Sequence, residues 1–237
     1  MIDTGFDVYT DTPPGKDPDS HSATLRRYHA RLWSKPLPGG GALSLQVASP
    51  QGYLRHRFEN GMDMGLSSDS IGHSYRYTKS MAVVIDQIPA ADIDAFFALC
   101  STVGAYMLFP SGKVDGKITI NGARGMHPRI KDRFDLTLEC IRLHYAGQAS
   151  PLGPTLARYS EFFGLFLTFA GFIEFFLLQD IVDDRAKTIR FVLPFAGFES
   201  AASPLPTSVA AYLDYRDAMT SFIHARNARM ANWDNMA

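Results

Sequence analysis

Cysteine is scarce in this chain: two residues in 237, Cys100 and Cys140. Each sits among apolar neighbours (Ala98-Leu99-Cys100 and Leu138-Glu139-Cys140-Ile141). The sequence therefore predicts buried thiols in a reducing compartment and argues against a disulfide scaffold or a zinc site. An excess of charge of one sign is also lacking. Lys+Arg 23 against Asp+Glu 24 leaves a net charge of -1, so no global basic field draws in nucleic acid or an anionic membrane, and any anion site has to be local. The signatures Gly-x-Gly-x-x-Gly, His-Glu-x-x-His, Cys-x-x-Cys and Gly-x-Ser-x-Gly are missing. No apolar run opens the chain, and the early acid Asp3 predicts no signal peptide and a cytoplasmic location.

What is present is ordinary globular material. Hydrophobic residues at 46%, charged residues at 20% and a mean hydropathy of -0.07 supply a sizeable core and exclude disorder, collagen and coiled coil. Residues 162–178 carry one charge, Glu174. A central carboxylate, the Ala170-Gly171 interruption and the lack of a flanking basic loop make this stretch two buried helices, broken near Gly171, rather than a membrane span. Phenylalanine is concentrated here, with ten of the seventeen falling between Phe162 and Phe198, which marks the centre of the core.

Residues 1–20 are rich in Asp, Pro and Gly and read as a turn-forming lead-in. Ser20 is placed to cap a helix over 21–33, with Leu25, Tyr28, His29 and Leu32 on its apolar stripe and Arg26, Arg27 and Arg31 pointing elsewhere. Short apolar or alternating runs at 43–48, 53–58 and 81–85 read as strands. Pro89 opens a helix carrying Ile93, Phe96, Phe97 and Cys100 that stops before Gly104. Residues 106–109 and 117–121 then read as a hairpin around a Gly-rich loop. Helices are expected over 131–145, 155–169, 172–182 and 208–230, with one strand at 189–193. The expected architecture is α+β, one domain over 1–237, in which a small, mostly antiparallel sheet from the first half packs against a helical second half.

Several strings carry a resemblance: Trp33-Ser34-Lys35-Pro36-Leu37-Pro38, Lys117-Ile118-Thr119-Ile120-Asn121-Gly122-Ala123-Arg124-Gly125, and Asp132-Arg133-Phe134-Asp135-Leu136-Thr137-Leu138-Glu139-Cys140-Ile141. The chain resembles, over nearly its whole length, a family of bacterial proteins of unknown function. The resemblance implies a bacterial cytoplasmic protein and brings no activity, cofactor or catalytic residue.

Among motifs, Gly112-Lys113-Val114-Asp115-Gly116-Lys117-Ile118 is similar to a phosphate-binding loop but fails as one: its glycines are one residue too close, and Ile118 stands where a Ser or Thr must hold Mg²⁺. Asp115-x-Lys117 matches the acid and lysine of a metal-dependent nuclease, yet Asp115-Gly116 is turn chemistry first. Ser67-Ser68-Asp69-Ser70 offers a nucleophile and equally offers caps and turns. His56, His73, His127 and His144 show no ligand spacing. Asp132, Asp135, Glu139 and Arg142 form a narrow polar strip on the helix over 131–145, for which helix-dipole and i+3 pairing is a sufficient account, so no metal site is assigned.

More informative is the charge between Ser111 and Arg133, where six cations face Asp115 and Asp132 for a local +4. With Ile118 and Ile120 buried on one face of a strand, the polar set is aimed outward. Lys117, Arg124, Arg129 and Arg133 are then the candidate ligand-binding residues for a phosphate-bearing ligand, a nucleotide or a nucleic-acid end, with phosphoester chemistry as an extension. The alternative is a non-catalytic module contacting another protein or a second copy of itself. The sequence assigns no cofactor and no membrane partner.

Overall fold

The structure, a computed structural model, describes residues 1–47, 52–183 and 185–236. Four antiparallel strands, β1 (Leu45–Val47), β2 (Leu54–Arg57), β3 (Asp63–Ser70) and β4 (Tyr106–Pro110), lie side by side in chain order. Leu54 pairs with Leu66, and Leu66 with Pro110, so one apolar row crosses three strands. The second half is mostly helical, with a minor two-stranded ribbon, β5 (Val182–Asp183) and β6 (Thr188–Ile189). The fold class is α+β.

The first helices are α1 (Pro18–His21) and α2 (Ala23–Trp33). Ser22, not Ser20, caps α2: its Oγ accepts the Leu25 N–H at 3.0 Å while donating to Asp11 at 2.5 Å. The 1–20 segment is packed rather than a loose lead-in, because Ile2 and Val8 are buried. Arg26, expected on the outer face of α2, is also buried.

Residues 81–85 are not a strand. Ala82–Ile85 is a helical turn, α3, and α4 (Ala90–Cys100) follows, with Pro89 as its cap rather than its first residue. The expected hairpin is absent as well. After β4 the chain runs irregularly to α5 (Ile120–Met126), where Thr119 caps the helix by accepting from the Gly122 N–H. Two isoleucines two residues apart imitate strand alternation, but Ile118 precedes the helix and is 37% exposed, while Ile120, its first residue, is buried. The strand not anticipated is β3, whose polar sequence Asp-Met-Gly-Leu-Ser-Ser-Asp-Ser hides a central position in the sheet. Of the strand expected over 43–48, residues 45–47 form β1 and Ala48 lies outside the described residues.

Next come α6 (Phe134–Tyr145), starting three residues later than its pattern, and three short helices, α7 (Gly153–Ala157), α8 (Ser160–Gly164) and α9 (Phe169–Phe175), in place of two long ones. The strand expected over 189–193 reaches only Ile189. The aromatic stretch does fold as two core helices, yet the break falls at Leu165–Thr168, where Leu167 has φ 61°, and Gly171 lies inside α9. Among the described residues no helix is long and apolar enough to cross a membrane. Phe162, Phe166, Phe172 and Phe176 are buried together at ring separations of 5.0–6.3 Å, and Trp33 of α2 joins them 5.2 Å from Phe176.

The last helix, α10 (Val209–Met236), buries Tyr212, Tyr215, Met219, Phe222, Ile223 and Met230. It also closes the open edge of β4. Arg226, fully buried, donates to the Gly104 and Tyr106 carbonyls at 2.8 Å each and to Phe176 O, while Asn227 Oδ1 accepts the Gly104 N–H at 2.9 Å. Backbone groups that an edge strand leaves open are thereby satisfied.

Candidate functional site

A cleft of about 270 Å³ opens where the end of β3, the 72–78 segment, the end of α4 and the loop before α6 meet. One wall is aromatic: Tyr9 stacks on Phe97 at 5.7 Å, and Tyr77, 80% exposed, stands edge-on to the same ring. Between Tyr77 and Phe97 lies the Arg76 guanidinium, 5.1 and 5.0 Å from their centroids and held by Asp94 at 2.9 Å. Hydroxyl groups of Ser70, Ser74, Thr78 and Ser101 share the lining with His73 and Asp132.

His73 is half-buried, and its Nε2 is buried without a hydrogen-bond partner among the described residues. Burial pushes its pKa down, while the carboxylates of Asp132 and Asp69 push the other way. Asp69 is pushed up by burial, opposed by Arg124. Backbone strain gathers at the same place. Tyr75 (φ 57°), Lys131 (φ 48°) and Asp132 (φ 62°) are left-handed non-glycine residues, and the Tyr75 hydroxyl reaches the Lys131 carbonyl at 3.5 Å. Such a conformation costs about 1–2 kcal/mol per residue and persists only where surrounding contacts enforce it. Here Arg124 does so, since the Asp132 N–H donates to the Arg124 carbonyl and the Arg124 guanidinium to the Asp132 carbonyl.

The four basic residues expected to form one site are not brought together. Arg124 is fully buried beneath the cleft, donating to Asp69, to Thr137 Oγ1 at 3.1 Å and to the Ser70 carbonyl, between the Phe109 and Phe134 rings. Arg133 is 2% exposed and grips Asp135 with two hydrogen bonds. Arg129 is half-exposed beside Glu199 at 3.5 Å. Lys117 is exposed on the irregular segment before α5. Arg129 and Arg133 share the wall of a space of only about 30 Å³, roughly the room of one water. The local +4 is thus consumed largely by internal pairing: the strand that was to aim these groups outward is an irregular segment running into α5, and two arginines point into the core. Of the carboxylate strip, Asp135 is held by Arg133 and Glu139 is bound twice by Arg142 at 2.7 Å, while Asp132 lines the cleft. Among the described residues no group of three His, Cys, Asp or Glu side chains is placed to hold a metal ion. Asp115 (φ 53°) and Gly116 (φ 68°) form a turn.

The Ser67–Ser70 run lies in β3 and forms no turn, and its Ser70 lines the cleft. Ser68 belongs to a buried chain in which the Trp33 Nε1–H donates to His29 Nδ1 at 2.8 Å. The neutral ring therefore carries its proton on Nε2 and donates to Ser68 Oγ at 2.8 Å. That is the wrong tautomer for a base acting on the serine, and His29 has no access to solvent. Sequence reasoning missed His73, Asp69 and Arg76 as members of one site. The available signal was weak: Gly72-His73-Ser74 is a histidine between small residues, one apolar residue after the polar run Ser67–Ser70.

A family model described as "Family of unknown function (DUF6994)" matches residues 2–230. No curated protein and no solved structure matches the chain.

Proposed function

Because the chain belongs to this family of unknown function, membership brings no activity with it, and we propose from the cleft itself that the protein binds a small neutral ligand with hydroxyl or amine donors beside a flat apolar face. The observation that carries this reading is the buried, unpartnered Nε2 of His73 on a wall shared with Asp132. An imidazole kept neutral by burial accepts a hydrogen bond from a ligand hydroxyl and is the group on which acid–base chemistry would centre. Tyr77 and Phe97 offer the flat face, and the serine and threonine hydroxyls supply orientation. We set this binding in a bacterial cytoplasm, with which two unpaired thiols accord.

A phosphate-bearing ligand is the second reading, favoured by Arg76 at the cleft and opposed by Asp69 and Asp132. Thermal-shift and calorimetric titration with monosaccharides, nucleosides, nucleotides and inorganic phosphate separates the two. A ligand at a hundredfold excess over its Kd stabilises by about 2.7 kcal/mol, a readable shift. The neutral-ligand reading expects sugars or nucleosides to bind and His73→Gln to abolish that binding in a folded protein. Binding confined to phosphate compounds, lost with Arg76→Ala and retained by His73→Gln, replaces it with the second. No binding together with concentration-dependent self-association moves the function to an interaction module.

A further inference from the structure

A second cavity, of about 440 Å³, lies on the other side of the aromatic core, between the segment after α2, the end of α9 and the end of α10. Its volume falls within the usual range for small-molecule sites, about 300–1,000 Å³. Lys35 enters it through a cage of rings. Nζ stands 4.8 Å from the Phe175 centroid, 5.2 Å from Trp33 and 5.4 Å from Trp233.

The ammonium makes no hydrogen bond and no ion pair among the described residues, although it carries three donors. On the same walls, and among the described residues, Gln179 Oε1 is a buried acceptor without a donor, and the exposed Glu174 carboxylate forms no close ion pair, acting on Lys35 only at longer range. Pro36, Leu37, Pro38, Phe175, Leu177 and Trp233 make up the apolar part of the lining.

These features are complementary to one kind of molecule. A partly buried ammonium held by ring faces and without a hydrogen-bond partner among the described residues calls for an anionic acceptor, of which a carboxylate is the simplest. Two unpaired acceptors, one of them charged, call for a cationic donor such as an ammonium. Apolar walls between them call for a hydrocarbon or aromatic side chain. We propose that this cavity is a binding site for a zwitterionic amino acid with a large apolar side chain, its carboxylate on Lys35, its ammonium on Glu174 and Gln179 Oε1, and its side chain against Leu37, Phe175 and Trp233.

The charge state of Lys35 suits the role. Burial and the neighbouring Arg226 push its pKa down to about 8, Glu174 opposes them, and the ring faces favour the cation, so the ammonium persists at neutral pH. The His73 cleft shares no lining residue with this cavity, so the two sites stand or fall separately.

The test is calorimetric titration of the whole chain at pH 7 with L-phenylalanine, L-leucine, L-phenylalaninamide and N-acetyl-L-phenylalanine. The free amino acids are expected to bind, and the amide and the N-acetyl derivative, each lacking one charge, to bind at least about tenfold more weakly. Lys35→Met keeps an apolar stem among the rings and is expected to abolish binding. Glu174→Gln, at an exposed position that does not threaten folding, is expected to weaken L-phenylalanine by about tenfold. Failure of both free amino acids to bind, equal binding of the amide, or unchanged affinity in Glu174→Gln would overturn the proposal.

Discussion

The carbonyl oxygen of Phe166 is packed against Gly171: a β-carbon built on Gly171 would lie 2.3 Å from it. This contact lets the chain fold back between α8 and α9 and set Phe166 edge-on to Phe172 at 5.3 Å. Gly171→Ala is therefore expected to destabilise. Alanine gains roughly 1 kcal/mol over glycine inside a helix, but a collision with backbone cannot be relieved by a rotamer change, and overpacking of this kind costs about 1–3 kcal/mol. The control is Gly164→Ala at the exposed end of α8, where nothing lies within 4 Å of the added carbon. Urea denaturation should show Gly164→Ala neutral or stabilised and Gly171→Ala less stable. The reverse order would show that the backbone contact does not hold.

The same glycine shows how far the sequence could be read. An interruption in an apolar run was visible, but its two physical uses, chain break and close approach, look alike in one dimension. Leu167, the residue that turns the chain with φ 61°, carries no such mark. The α+β class, α4, α6 and α10 were legible because their apolar stripes are long. Misreadings came where a run was short: Met81–Ile85 and Lys117–Asn121 carry β-branched residues in small numbers, and local capping by Thr119 outweighs that preference. The candidate site was the least legible. Its members come from the end of β3, the 72–78 segment and the loop before α6, and a charge count does not distinguish an arginine facing solvent from one facing Asp69.

Arg124→Ala tests that distinction. Arg124 is fully buried and its partner Asp69 is partly so, and removal of the arginine strands that carboxylate without its cation. A loss of roughly 3–5 kcal/mol is expected in chemical denaturation. Arg124→Met combined with Asp69→Asn removes both charges and should recover part of that loss. A stable, fully folded Arg124→Ala protein would mean that the pair is not structural and would return Arg124 to the list of ligand contacts.

Cys100 and Cys140 should differ in reactivity despite both being buried. Cys140 has no exposed surface, and burial pushes its thiol up to about 11. Cys100 is 5% exposed and lines the His73 cleft. Both should label slowly with an aromatic disulfide in native buffer and quickly in denaturant, since the thiolate is the reactive form. A ligand seated in the cleft should slow Cys100 further and leave Cys140 unchanged. Fast native labelling of Cys140 would contradict the buried position of α6.

Acid sensitivity is expected from His29. Its Nδ1 faces the Trp33 N–H donor and its Nε2 donates to Ser68, so protonation would set two donors against each other in the core. Burial lowers its folded-state pKa from 6.5 to about 3, with Arg226 adding to the effect. Below pH 6.5 the unfolded chain takes up a proton that the folded chain refuses. Its stability contribution is therefore fully present above 6.5 and is lost as pH falls toward 3, by about 1.4 kcal/mol per pH unit at most. Asp19 works in the opposite direction, because burial raises its folded-state pKa from 3.8 to about 8. Its contribution is present below 3.8 and is lost as pH rises through about 8. The two trends offset each other in a single profile, so the informative quantity is the difference between wild type and His29→Gln, which has no titrating ring. Urea midpoints from pH 7 to pH 4 should fall faster in wild type than in the variant. Parallel profiles would show that His29 accepts a proton in the folded protein and that the Trp33–His29–Ser68 chain is not fixed as described.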